Sequence, residues 1–108
     1  MNVYETTFFS RQKTRSLALA ALRAAINAVL VAFRATPVGA GFGGYAPVVS
    51  AAAKTAIRAA CGNPQTANTH VYEIGISGHW RIFFAQGVSG GIVVLMVGHL
   101  NGNVVEQP

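Results

Sequence analysis

Residues 92–97, IVVLMV, are six apolar side chains in a row, and they limit how this chain can fold more than any other stretch. An apolar run of that length bounded by turn signals reads as a fully buried strand. The two segments before it have a different pattern. In 70–77 (HVYEIGIS), His70, Tyr72, Ile74 and Ile76 alternate with Val71, Glu73, Gly75 and Ser77. In 80–85, Trp80, Ile82 and Phe84 alternate with Arg81, Phe83 and Ala85. A period of two marks strands with one apolar face. Ser77, Gly78 and His79 form the turn between them, and the glycine-rich 87–91 leads into the apolar run. The three segments predict an antiparallel meander whose wholly apolar strand lies in the centre.

Upstream, 3–9 (VYETTFF) has the β-branched and aromatic residues of a strand, with its inward parity, Val3 or Tyr4, left open by the pattern. Ser10 stands as N-cap to a long helix over 11–35, with Ser16 as a candidate break. At 100° per residue, Leu19, Leu22, Ile26, Val29 and Phe33 share one face, and Ser16, Arg23, Asn27 and Arg34 share a narrow wet stripe. Arg23 interrupts the apolar run, so the segment reads neither as a signal peptide nor as a membrane span. Residues 36–46 (TPVGAGFGGYA) read as a loop. Pro47 suits the first turn of a second helix. Val49, Ala52, Ala53, Ala56, Ile57 and Ala60 form its apolar side, with Ser50, Lys54 and Arg58 on its wet side. Gly62, Asn63 and Pro64 stop it, and a polar connection follows over 65–69. Near the end, Asn101-Gly102 signals a turn into a short strand at Val104 and Val105. The expected architecture is α+β in a single domain over 1–108. It comprises an N-terminal strand, a helical hairpin, and a three- to four-stranded antiparallel sheet with the helices on one face.

Eight Lys and Arg residues stand against three Glu, with no Asp, for a net charge of +5. That balance favours an anionic partner: nucleic acid, an acidic protein or a membrane surface. The missing Asp excludes a Ser-His-Asp triad, and no nucleophile elbow is present for a Glu variant. Cys61, the one cysteine, can form neither an internal disulfide nor a thiolate metal site, and reads as a buried small hydrophobe. His70, His79 and His99 lack metal-ligand spacing, and the glycine string GAGFGG lacks the Lys-Ser/Thr of a phosphate loop, so no metal and no cofactor are expected.

Helices on one face would leave Glu73, Arg81 and Phe83 on the open face, with His99 at the end of the central strand. An arginine, a carboxylate, an aromatic ring and an imidazole on one surface suit RNA. Arg81 would hold phosphate, Phe83 would stack a base, and His99 or Glu73 would move a proton. His79 and the helix edges at Arg23, Lys54 and Arg58 would add RNA contacts. The plainer alternative makes Arg81 and Glu73 a cross-strand ion pair and the histidines ordinary turn and strand-end residues.

The run VYEIGISGHWRIFFAQ, continued by GGIVVLMVGHLNGNVV, resembles the C-terminal half of toxins of the RelE/ParE superfamily. The shared pattern is Gly-x-aromatic-Arg-aliphatic-x-aromatic, a polar turn, an apolar strand and Val-Gly-basic. Here it is carried by Gly78, Trp80, Arg81, Ile82 and Phe84, then by Val97, Gly98 and His99. The resemblance implies a metal-independent endoribonuclease that cleaves messenger RNA, free or on the ribosome, and is held by an acidic antitoxin protein in the cytoplasm, with no membrane partner. It places Arg81 on the scissile phosphate and His99 at a basic family position. Glu73 and Gly75 stand where RelE carries a lysine pair. That departure keeps three other readings open: a ParE-like inhibitor of DNA gyrase, an interbacterial effector tRNase of similar fold, and a non-catalytic nucleic-acid-binding module.

Overall fold

The computed structural model describes residues 2–15, 20–35, 44–62, 70–86 and 91–108. Along the chain these form β1 (Val3–Glu5), α1 (Thr7–Arg15), α2 (Arg23–Ala35), β2 (Tyr45–Pro47), α3 (Ala51–Ala60), β3 (Tyr72–Ser77), β4 (Trp80–Gln86), β5 (Ile92–Asn101) and β6 (Val104–Glu106). The fold is α+β. Its sheet runs β1-β5-β4-β3-β2, with β6 hydrogen-bonded to the far end of β5. β1 is parallel to β5, and the other pairings are antiparallel. The antiparallel meander β3-β4-β5 forms as the alternation predicts, but its middle strand is β4 and not the apolar β5, which is interior because β1 and β6 cover its other edge.

The wholly apolar character of β5 has a physical cause in how completely it is enclosed. One edge pairs with β4 from Arg81↔Gly98 to Gln86↔Ile92. The other edge is closed by four different devices in turn. β1 pairs with residues 92–94. The Thr6 hydroxyl donates to the Leu95 carbonyl at 2.6 Å. The Gln12 side-chain amide donates to the Val97 carbonyl at 2.9 Å and accepts from the Val97 N–H at 2.8 Å. β6 then pairs with residues 99–101. Gln12 thus acts as one residue of missing strand, which explains why a glutamine on α1 is buried. Replacing Gln12 with leucine leaves both Val97 groups buried without partners, so we expect a loss of about 2–4 kcal/mol. Urea denaturation measures it, and a loss below about 0.5 kcal/mol would mean that solvent reaches those groups.

Both faces of the sheet are covered. Ile74, Ile82, Phe84, Ile92, Val94 and Val97 pack with Phe9, Ile26, Leu30 and Phe33 of α1 and α2. Val71, Phe83, Ala85, Leu95 and Met96 pack on the other side with Ala53 and Ile57 of α3 and with Cys61. A bulge between Phe83 and Phe84 places Leu95 as the extra residue, so Leu95 and Met96 both enter the α3 cluster. The expectation of helices on one face is therefore corrected: α3 fills the opposite face. An alternating strand reads as half-exposed only if its second set is polar. Val71, Phe83 and Ala85 already made that set apolar.

Four local expectations also change. Thr7 to Phe9 are helical, because Thr6 caps α1: its hydroxyl accepts from the Phe9 N–H at 3.0 Å, and its carbonyl from the Ser10 N–H at 3.1 Å. The single helix expected over 11–35 is interrupted, among the described residues, by a turn at 21–22 before α2; the candidate break at Ser16 lies outside the described residues. Pro47 ends an edge strand and starts no helix, its missing N–H being tolerated there. Ser50 is the N-cap of α3, accepting from the Ala53 N–H at 3.2 Å, and Val49 before it is 85% exposed. Gly62 takes the left-handed conformation expected of a helix stop, at φ +69°. The loop reading of 36–43, the stop at Asn63 and Pro64, the connection at 65–69 and the glycine turn at 87–90 lie outside the described residues. No helix among the described residues is long and apolar enough to cross a membrane.

Candidate functional site

The residues expected to share one open face do not share it. Glu73 opposes Phe83, and Arg81 opposes both Gly75 and Gly98, so these belong to the α3 side of the sheet. His99 lies two residues beyond Val97 and has the opposite parity, that of the α1–α2 side. Phe83 is fully buried in the α3 cluster, and no base can stack on it.

Arg81 is occupied by its own hairpin. Its Nη1 donates to the Gly78 carbonyl at 3.0 Å and to the Trp80 carbonyl at 3.1 Å. The guanidinium lies over Gly75, where an added Cβ would stand 3.4 Å from Nη1. A side chain at 75 would therefore meet the guanidinium at van der Waals distance. No ion pair joins Arg81 to Glu73 among the described residues. Arg81→Ala should stay folded but lose about 1 kcal/mol, because two charge-assisted hydrogen bonds at a half-exposed turn are removed. A thermal melt checks this, and an unchanged melt would show that the turn holds without the guanidinium.

The basic helix edges divide. Arg23 is exposed, with its guanidinium donating to the Lys13 carbonyl at 3.2 Å. Lys54 is half-buried on α3. Arg58 is buried at 7% exposure, contrary to its expected place on a wet side. Its position on α3 is one residue from Ile57 and three from Cys61, both in the core, so it turns inward with them. Burial pulls its pKa below the ordinary guanidinium value, opposed by the Cys61 sulfur. It offers no surface to RNA.

What the fold does assemble is a cluster at the β3–β4 turn. Gly78, at φ +57°, and His79 make the two-residue turn, with Ser77 paired to Trp80. The His79 and His99 rings lie 4.5 Å apart, centroid to centroid, tilted by 51°. His79 also meets Trp80 at 4.6 Å, and Trp80 stands edge-on to His99 at 6.4 Å. The β5–β6 hairpin pairs His99 with Glu106 and brings Glu106 Oε1 to 3.9 Å from His99 Nε2. Gly98 is what allows this: an added Cβ there would stand 2.9 Å from the Glu106 carbonyl oxygen and 3.2 Å from the Phe83 ring. The Val-Gly-His motif therefore has a packing cause. The glycine lets β6 approach, and β6 delivers the carboxylate.

Glu106 and Trp80 were not singled out from sequence. The signal for Glu106 was available: a turn at Gly102 and Asn103 pairs 101 with 104, and counting outward pairs 99 with 106. His70 lies at the other end of β3, away from His79 and His99. Among the described residues, no group of three or more His, Cys, Asp or Glu side chains could hold a metal ion. Comparison with family profiles, with curated proteins and with solved structures finds no match to this chain.

Proposed function

We propose that this protein is a RelE-like endoribonuclease toxin that cleaves RNA at the His79–His99 cluster, acts in the cytoplasm and is restrained by an acidic antitoxin. The observation that carries the reading is the contact of two imidazoles beside Trp80, one of them facing a carboxylate. RNA carries its own nucleophile, so cleavage needs a base for the 2′-hydroxyl and an acid for the leaving oxygen. His99, oriented by Glu106, accepts the 2′-hydroxyl proton. The 2′-oxygen bonds to phosphorus as the bond from phosphorus to the 5′-oxygen breaks. Protonated His79 gives that oxygen a proton, leaving a 2′,3′-cyclic phosphate and a 5′-hydroxyl. Seating a phosphodiester between the rings requires His79 to swing outward, which an exposed turn side chain does within nanoseconds. The net charge of +5 draws the polyanion in. This assignment moves the chemistry away from Arg81 and Glu73, which lie on the other face.

Expression in a growing cell with primer-extension mapping of messages tests the reading. Growth arrest with cut messages supports it. Growth arrest with intact messages and broken DNA overturns it in favour of gyrase inhibition, and cut transfer RNA with intact messages favours the effector tRNase. The separation of Arg81 and Glu73 from His99 favours one further reading, a non-catalytic RNA-binding module. That reading expects affinity that falls steeply with salt and no cleavage.

A further inference from the structure

A second group of rings lies at the opposite end of β3. His70, exposed, stacks on Tyr72 with centroids 6.2 Å apart and planes 29° apart. Tyr72 stacks in turn on Phe84 at 5.6 Å and 26°. Tyr45 of the edge strand meets Tyr72 edge-on at 5.6 Å and Phe84 at 6.1 Å. Phe33 backs Phe84 at 4.7 Å. The row thus begins in the α1–α2 core, where Phe84 and Phe33 are fully buried, and ends in water at His70. Tyr45 and Tyr72 are half-buried, so their rings are held by the core while part of each faces solvent.

A row whose inner rings, Tyr72 and Tyr45, hold and back an exposed end ring, His70, is a stacking platform with little ordering left to do on binding. No Glu side chain stands among them to repel an anion. The chain has three carboxylates, and none is here. Glu5 is on β1 at the other edge of the sheet and holds Lys13. Glu106 faces His99. Glu73 has the opposite parity to Tyr72 and opposes Phe83 on the α3 side.

We propose that His70, Tyr72 and Tyr45 form a surface on which the unpaired bases of single-stranded RNA stack, separate from the His79–His99 cluster. It rests on the reading of RNA as the ligand. β3 alone is about 17 Å long at about 3.3 Å per residue, and His70 and His79 lie beyond its two ends, so one nucleotide cannot touch both. An RNA strand gripped by its bases at one end of β3 can present a phosphodiester at the other.

The test is fluorescence anisotropy of a labelled single-stranded oligonucleotide against the folded full chain, with an abasic oligonucleotide of the same length as control. His70→Ala is the primary variant because His70 is exposed and its loss leaves the core intact. We expect His70→Ala to weaken binding of the base-bearing strand about 5- to 150-fold, the range for one lost base stack. It should leave the abasic strand unchanged, and His70→Phe should restore affinity. Tyr72→Leu, which keeps an apolar side chain against Phe84, should show the same selective loss. Unchanged affinity in both His70→Ala and Tyr72→Leu overturns the proposal, as does an equal loss for both strands. Binding that depends on His70 without any cleavage would keep this surface and remove the nuclease reading. Cleavage with no dependence of affinity on His70 would do the reverse.

Discussion

Replacing His99 with alanine should lower the rate of RNA cleavage by about 10²–10⁴-fold, the usual contribution of one positioned proton-transfer group. Thermal stability should change little, by less than about 1 kcal/mol, because the imidazole is part-exposed and lies at the sheet's end. His79→Ala should lose a comparable factor by removing the acid, and the double variant should lose little more, since the two groups act in one step. Single-turnover cleavage by each folded variant checks this. A His99→Ala protein that cleaves at the parental rate would remove His99 from the chemistry and, with it, the role given to Glu106.

The largest effect on stability is expected at Phe83. Its ring is fully buried between Leu95, Met96 and the α3 cluster, and it also lies against Gly98. Phe83→Ala should cost about 3–5 kcal/mol through lost burial and an unfilled cavity. A domain of this size has only about 5–15 kcal/mol in total, so the variant should be near the limit of folding at 37 °C. Denaturant titration measures the loss. A base-stacking residue on an open face would cost far less, so a change within about 0.5 kcal/mol would restore Phe83 to the surface and overturn the two-sided packing.

Phe83 also shows where the sequence was legible and where it was not. The period of two in 70–77 and 80–85 was enough to predict β3 and β4, and the unbroken apolar run was enough to predict a buried β5, though not that β4 would be the middle strand of the meander. The Tyr72, Ile74, Ile76, Ile82 and Phe84 set was correctly assigned to the side of the first helices. What the strands could not tell was where the third helix would go. Its apolar residues, Ala53 and Ile57 among them, are small or few. They read as a second arm of a hairpin on the same face, whereas they lie on the opposite one. That single choice decided whether Phe83 and Arg58 faced water. Val71, Phe83 and Ala85 are a second apolar set, and such a set needs a covering element on its own face.

The expected site and the cluster that the fold assembles differ for related reasons. Arg81 was chosen for its outward parity, and that parity is correct. Its parity also separates it from His99, because residues of opposite parity on paired strands emerge on opposite faces. In the sequence His79 reads as a turn residue with an RNA contact, and the turn is what carries it to His99. Short strands such as β2 and β6 depend on long-range pairing and leave little local pattern. Pro47 in particular argued for a helix start until an edge position made it acceptable.

The central claim is that the imidazole pair cleaves RNA through the substrate's own 2′-hydroxyl. It is tested most directly by incubating the purified chain, with a strong chelator present, with a single-stranded RNA and with the same sequence bearing one 2′-deoxy nucleotide at the cleavage position. The expected result is cleavage of the all-ribose strand, leaving a 2′,3′-cyclic phosphate and a 5′-hydroxyl, and none at the deoxy position. Cleavage at the deoxy position, or an all-ribose strand that stays intact while it binds, would contradict it.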